Sequence, residues 1–211
     1  MLTFVKKNLI PISAIFSISN QKQFEKMALK VFRFQYDNNL VYKQFCQLMK
    51  VEKEDVKKLL QIPFLPISFF KSHDVVTHEN DIEVTFTSSG TTGMITSKHQ
   101  VTDVSYYEES YRQGFSQFYG NIENYVILAL LPSYLEREGS SLIYMVQDLI
   151  QLSKNENSGF YLHNHYDLIE KLIVLEKEEK NTILIGVTYA LLDLIEKQNF
   201  NLKNTIIMET G

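Results

Sequence analysis

From residue 82 onward, short apolar runs alternate with amphipathic stretches, and this leaves the chain few ways to fold. Residues 82–87, 125–131, 159–162, 182–187 and 205–208 read as strands, while 103–119, 140–152, 167–179 and 189–197 carry apolar residues at helical spacing. The runs at 125–131 and 182–187 are apolar almost throughout, so both faces need cover. Strands joined through helices lie parallel, with the helices on the sheet faces. Upstream, residues 21–50 read as two helices broken at Asp37-Asn38-Asn39, with Phe24, Ala28, Val31 and Phe32 at helical spacing. Residues 52–60 read as a third, short helix with acidic residues in its first turn. Pro63 and Pro66 then hold 62–71 extended, and its apolar content demands burial against a neighbour. The expected fold class is α/β: an N-terminal helical region at 1–80 with its proline-containing strap, then an α/β portion at 81–211 built on a largely parallel sheet. The last strand is followed almost at once by Gly211, which reads as a truncation of that portion at its C-terminal end, where open α/β sheets bind ligands.

Charge and composition narrow the function classes. The 211 residues carry a formal net charge of −4, with lysines and glutamates spread along the chain and no basic stripe, which argues against nucleic acid as a partner. A single cysteine, Cys46, forbids an internal disulfide and suits a reducing compartment. It lies on an apolar face with no activating histidine or cation nearby in sequence, as a buried structural thiol would. Lys6-Lys7 precede an apolar run at 9–16 that faintly resembles a signal peptide, but Pro11 and Ser13 interrupt it and no small-x-small site follows. No run reaches the length of a membrane span. The expectation is a cytoplasmic protein. His163 and His165 have only Asp167 near them and read as a loop leading into a helix rather than as a metal site.

The strand at 82–87 runs into Ser88-Ser89-Gly90-Thr91-Thr92-Gly93, six residues that are all hydroxyl or glycine. Such a run cannot pack a core. It can curl round an anion, because glycines let the backbone approach, successive amides form a polarised concavity, and hydroxyls add donors. It is neither of the two common phosphate loops: no Gly-Lys pair follows Gly90 at Walker spacing, and no G-x-G-x-x-G occurs. Lys98 follows closely enough to add a positive charge.

The stretch from Thr87 to Gly93 with a lysine after it resembles the phosphate-binding loop of the adenylate-forming superfamily of acyl- and aryl-CoA ligases, luciferases and adenylation domains. More narrowly, the chain resembles the acyl-protein synthetase family, which activates fatty acids in bacterial luminescence. The supporting stretches are Phe32-Arg33-Phe34-Gln35-Tyr36, Ile62-Pro63-Phe64-Leu65-Pro66-Ile67 with Phe69-Phe70-Lys71, Ser97-Lys98-His99, Leu131-Pro132-Ser133-Tyr134 with Ser140-Ser141-Leu142, and Ile207-Met208-Glu209-Thr210-Gly211. They run the length of the chain but match only the N-terminal half or so of such an enzyme.

The resemblance implies an ATP-dependent, AMP-forming reaction with Mg²⁺. A carboxylate attacks the α-phosphate, pyrophosphate leaves, and the acyl group passes to a thiol acceptor on a protein, a carrier or CoA. A fatty acid is the implied substrate. Ser88, Ser89, Gly90, Thr91, Thr92, Gly93 and Lys98 would hold the β- and γ-phosphates, and Tyr134, Ser140 and Gly186 would line the acyl pocket. For Ser140 a helix N-cap is an equally good reading. Lys98 lies later than the superfamily's lysine, which follows a proline. The aromatic-Gly-x-Thr-Glu motif, the ribose-binding aspartate and the catalytic lysine of the superfamily have no counterpart in these residues, so no catalytic residue is assigned. Two alternatives stand beside this reading: an inactive fragment serving at most as a binding module, and a phenylacetate-CoA-ligase-like enzyme.

Overall fold

A computed structural model describes residues 10–77, 82–88, 96–132, 138–162 and 164–210. They form two compact units, Met1–Glu109 and Ser110–Gly211.

In the first unit, α1 (Ile12–Phe16) precedes α2 (Gln21–Asn38) and α3 (Leu40–Leu48). Asn39 makes the break that the sequence suggests. Its N–H donates to the Gln35 carbonyl at 2.8 Å, closing α2, and its side-chain oxygen accepts from the Tyr42 N–H at 3.1 Å, opening α3. Phe32, Tyr36, Tyr42, Cys46 and Val56 form the core between the two helices. Cys46 is fully buried, and burial pushes its thiol pKa up, as expected of a structural cysteine. The helix anticipated at 52–60 is instead a turn followed by a single 3₁₀ turn at Leu59–Gln61. Two side chains hold that shape. Glu52 accepts from the Tyr36 hydroxyl at 2.7 Å, which with burial pushes the phenol pKa up to about 12. Gln61 Oε1 accepts from the Lys57 and Lys58 amides at 2.9 Å each.

The proline strap is anchored where the Pro63 carbonyl accepts from the Tyr42 hydroxyl at 2.7 Å. It is less buried than its composition suggests, since Phe64 and Ile67 are exposed, and it ends in a one-turn helix, α4 (Phe69–Ser72). Beyond it, β1 (Val84–Thr87) pairs antiparallel with β2 (Lys98–Val101) as a separate two-stranded sheet. The strand at 82–87 therefore does not join the parallel sheet, and β2, which the sequence reading did not anticipate, pairs with it instead. Helix α5 (Ser105–Tyr119) spans the junction of the two units.

The second unit holds the parallel sheet, ordered β4 (Gly159–Phe160), β3 (Val126–Leu130), β5 (Thr182–Gly186) and β6 (Thr205–Glu209). Every residue of β3 and β5 is buried, and alternate side chains serve opposite faces. Val126, Leu128 and Leu130 pack against α7 (His165–Lys177) and α8 (Thr188–Lys197) through Leu168, Leu172, Leu175, Ala190 and Leu194. Ile127 and Ala129 pack against α5 and α6 (Ser141–Ser153) through Phe115, Val146 and Leu149. On that face Arg112 grips Asp148 in a two-pronged ion pair at 2.7 and 2.9 Å, tying α5 to α6. Glu176, late in α7, sets the entry to β6 by accepting from the Lys203 N–H at 2.7 Å and from Asn204 and Thr205. Among the described residues no helix is long and apolar enough to cross a membrane.

Candidate functional site

The hydroxyl-and-glycine run falls between β1 and β2 in sequence, and only Ser88 of it lies among the described residues. The strands pair from Val84 opposite Val101 to Thr87 opposite Lys98, so the chain leaves and re-enters the sheet at adjacent points. Ser88 and Ser97 lock this mouth. The Ser88 N–H donates to the Ser97 carbonyl at 3.1 Å, and the Ser97 N–H donates back to Ser88 Oγ at 3.0 Å. The far end is fastened as well: the Glu83 N–H donates to the Val101 carbonyl at 2.9 Å, and the Glu83 carboxylate accepts from the Val104 N–H at 2.8 Å. Buried Phe86 packs edge-on against Tyr107 with ring centroids 5.3 Å apart, seating the hairpin on α5.

Of the residues expected to grip phosphate, Ser88 stands at this mouth with its hydroxyl engaged in the lock. Lys98 opens β2 as an exposed cation opposite Thr87. Ser89, Gly90, Thr91, Thr92 and Gly93 lie outside the described residues. Next along β2, His99 sits against Phe70 at 5.3 Å between ring centroids, and burial lowers its imidazole pKa, which favours the neutral ring.

The residues expected to line an acyl pocket lie in the second unit. Ser140 is the N-cap of α6, its Oγ accepting from the Ile143 N–H at 3.4 Å, so its hydroxyl has the capping role that the sequence also allowed. Tyr134 lies outside the described residues. Gly186 ends β5 in tight packing. A Cβ there would meet Leu191 Cγ and Cδ2 at 2.9 Å and Leu130 Cβ at 3.3 Å, and its carbonyl accepts from the Thr210 N–H at 3.0 Å. The position demands glycine because α8 and β3 close on it.

Sequence reasoning missed β2 and the Ser88–Ser97 lock. Lys98-His99-Gln100-Val101 lacks the β-branched alternation of a strand, and the intervening loop is longer than the two-to-five-residue hairpin connections that carry a turn signature. Among the described residues, no three His, Cys, Asp or Glu side chains come together as a metal site.

Comparison with known proteins bears on this half of the chain. Residues 8–111 match the family described as "Acyl-protein synthetase, LuxE". The chain is 40% identical over 80 residues to a long-chain-fatty-acid–luciferin-component ligase of Vibrio harveyi, a match covering 37% of this chain and 21% of that protein. A ligase of the same description from Photorhabdus luminescens is 39% identical over 75 residues, covering 35% of this chain and 64% of that protein. The aligned stretch thus spans less than two thirds of either relative.

Proposed function

We propose that this chain, whose residues 8–111 match the acyl-protein synthetase LuxE family, carries the phosphate grip of an ATP-dependent, AMP-forming enzyme that activates a fatty acid for transfer to a thiol. The observation that supports it most is the β1–β2 pairing locked by Ser88 and Ser97, with Lys98 opposite Thr87 at the point where the chain leaves and re-enters the sheet. The two ligases named above act, by their names, on long-chain fatty acids, and the proposal extends that substrate class to this chain.

The roles follow from the chemistry of the side chains. The hydroxyls of Ser89, Thr91 and Thr92 donate to the β- and γ-phosphate oxygens. The amides of Gly90 and Gly93 approach those oxygens closely because no Cβ intervenes. Lys98 supplies a point charge where negative charge gathers as pyrophosphate leaves. Magnesium, when bound, neutralises part of that charge as a Lewis acid. Ser88 Oγ accepts from the Ser97 N–H, which leaves its hydroxyl hydrogen to donate to a phosphate oxygen.

Calorimetric titration of the chain with magnesium pyrophosphate tests this. A charge-assisted hydrogen bond is worth about 1.5–3 kcal/mol, so Lys98→Met is expected to weaken binding about ten- to a hundredfold. Thr91→Ala with Thr92→Ala is expected to do likewise. Unchanged affinity in both variants, or no saturable binding by the parent chain, refutes the proposal.

A further inference from the structure

The proline strap is fastened along its inner side and apolar along its outer side. Ile62 and Leu65 pack on the core between α2 and α3, and the Pro63 carbonyl accepts from the Tyr42 hydroxyl. Phe69 meets Phe45 of α3 edge-on, with ring centroids 5.7 Å apart. On the outer side Leu60, Phe64 and Ile67 are 98%, 79% and 84% exposed. The end of α3 adds to this flank, since Leu48 stands one turn beyond Phe45 and is 83% exposed. Single exposed apolar side chains are ordinary, but four along one short, anchored ridge mark an interaction surface.

Charge decides what covers the ridge. Lys57 and Lys58 precede the exposed apolar residues of the strap and Lys71 follows them, all three exposed. No acidic residue occurs from 56 to 73, with Asp55 and Asp74 bracketing that window. Among the described residues none of the three lysines pairs with a carboxylate. The wider stretch has the same sign: residues 10–77 hold ten lysines and arginines against six acids, although the whole chain stands at −4. The centres of protein–protein interfaces are depleted in lysine and favour arginine. Lysines flanking protruding Leu, Phe and Ile fit instead an anionic bilayer, where apolar side chains enter the acyl boundary and flexible ammonium groups stay at headgroup depth. The inner contacts of the strap stay intact when its outer side chains enter lipid, so docking requires little ordering of the chain.

We infer that the outer side of the strap is a docking face for an anionic phospholipid bilayer. Leu60, Phe64 and Ile67 are the inserting side chains, and Lys57, Lys58 and Lys71 are the headgroup contacts. The inference stands apart from the proposed ATP chemistry, which needs no membrane.

Co-sedimentation of the full chain with vesicles tests it, comparing phosphatidylglycerol and phosphatidylcholine in equal parts with phosphatidylcholine alone. Binding is expected to the first vesicles and not to the second, and to fall as salt is raised. A lysine near such a surface contributes about fivefold, so Lys57→Gln with Lys58→Gln is expected to weaken binding about twenty-five-fold. Phe64→Ser with Ile67→Ser, at exposed positions, is expected to weaken it at least about tenfold, with circular dichroism confirming the fold of both variants. The chain has no tryptophan, so Phe64→Trp supplies a single reporter. Its emission is expected to shift to the blue on the anionic vesicles, while that of Tyr189→Trp, at an exposed position in α8, is expected to stay unchanged. No binding to the anionic vesicles, equal binding to both kinds, or binding that both double variants leave intact overturns the inference. So does a Phe64→Trp emission that shifts no more than that of Tyr189→Trp. Self-association of the parent chain without lipid in sedimentation equilibrium, abolished by Phe64→Ser with Ile67→Ser, also overturns it and would assign the ridge to a second copy.

Discussion

Replacing Gly186 with alanine should destabilise the second unit, for a reason that the packing makes quantitative. The new methyl would stand 2.9 Å from Cγ and Cδ2 of Leu191 and 3.3 Å from Cβ of Leu130. Carbon atoms pack best at about 3.5–4.0 Å, so Leu191 must withdraw by roughly 0.6 Å. Its Cγ is not a free end, and moving it shifts the first turn of α8. Overpacking of this kind costs about 1–3 kcal/mol, while alanine returns about 0.4–1 kcal/mol by restricting the unfolded chain. The net expectation is a loss of about 1–2 kcal/mol, read as a urea midpoint about 0.5–1 M lower for a slope near 2 kcal/mol per molar. The control is Leu191→Ala. In that background the methyl meets no obstacle from α8, so Gly186→Ala should cost little, and the two changes should be strongly non-additive. An equal midpoint loss in both backgrounds, or none in the parent, would refute the argument from close approach. Because this glycine is explained by packing, magnesium pyrophosphate affinity should be unchanged in any folded Gly186→Ala protein.

Asp148→Ala removes the carboxylate that pairs with Arg112, and because the pair is partly exposed the loss should be about 1 kcal/mol in denaturant unfolding. Glu179 follows α7 in the left-handed region at φ 53°, so Glu179→Gly should raise stability by about 0.5–1 kcal/mol, seen as a higher melting temperature. Burial alone would raise the Glu176 pKa, yet donors from Lys203, Asn204 and Thr205 hold it below the ordinary carboxylate value. Its stabilising contribution is therefore present above the unfolded carboxylate pKa and lost as pH falls through the lower folded one. Acid unfolding followed by circular dichroism should accordingly be less steep in Glu176→Gln, from a lower starting stability at neutral pH.

The parallel sheet was legible because its signal is physical and local. β3 and β5 are buried on both faces, and only runs such as Val126-Ile127-Leu128 and Ile183-Leu184-Ile185 satisfy that. The helix break at Asn39 was legible because an Asp-Asn-Asn run favours turns and caps, and Asn39 closes α2 through its backbone N–H and opens α3 through its side-chain oxygen. What was not legible depends on partners distant in sequence. Glu52 to Leu60 carries a helix-start pattern, but its glutamate is taken by Tyr36 from a helix sixteen residues earlier. The residues of β2 become a strand only because β1 offers them a ladder, and the bond that Ser88 Oγ accepts from Ser97 joins residues nine apart that no local pattern links. The exposed apolar face of α2 was not legible, since an exposed apolar helix face and a buried one share one periodicity.

The central claim, that the β1–β2 hairpin grips the phosphates of ATP, is tested most directly by amide hydrogen exchange of the chain with and without magnesium-ATP. The account predicts slowed exchange concentrated in residues 84–101, lost in Lys98→Met, and little protection of amides at the C-terminal ends of β3, β5 and β6. Binding of magnesium-ATP that protects the second unit and leaves residues 84–101 unchanged would contradict it.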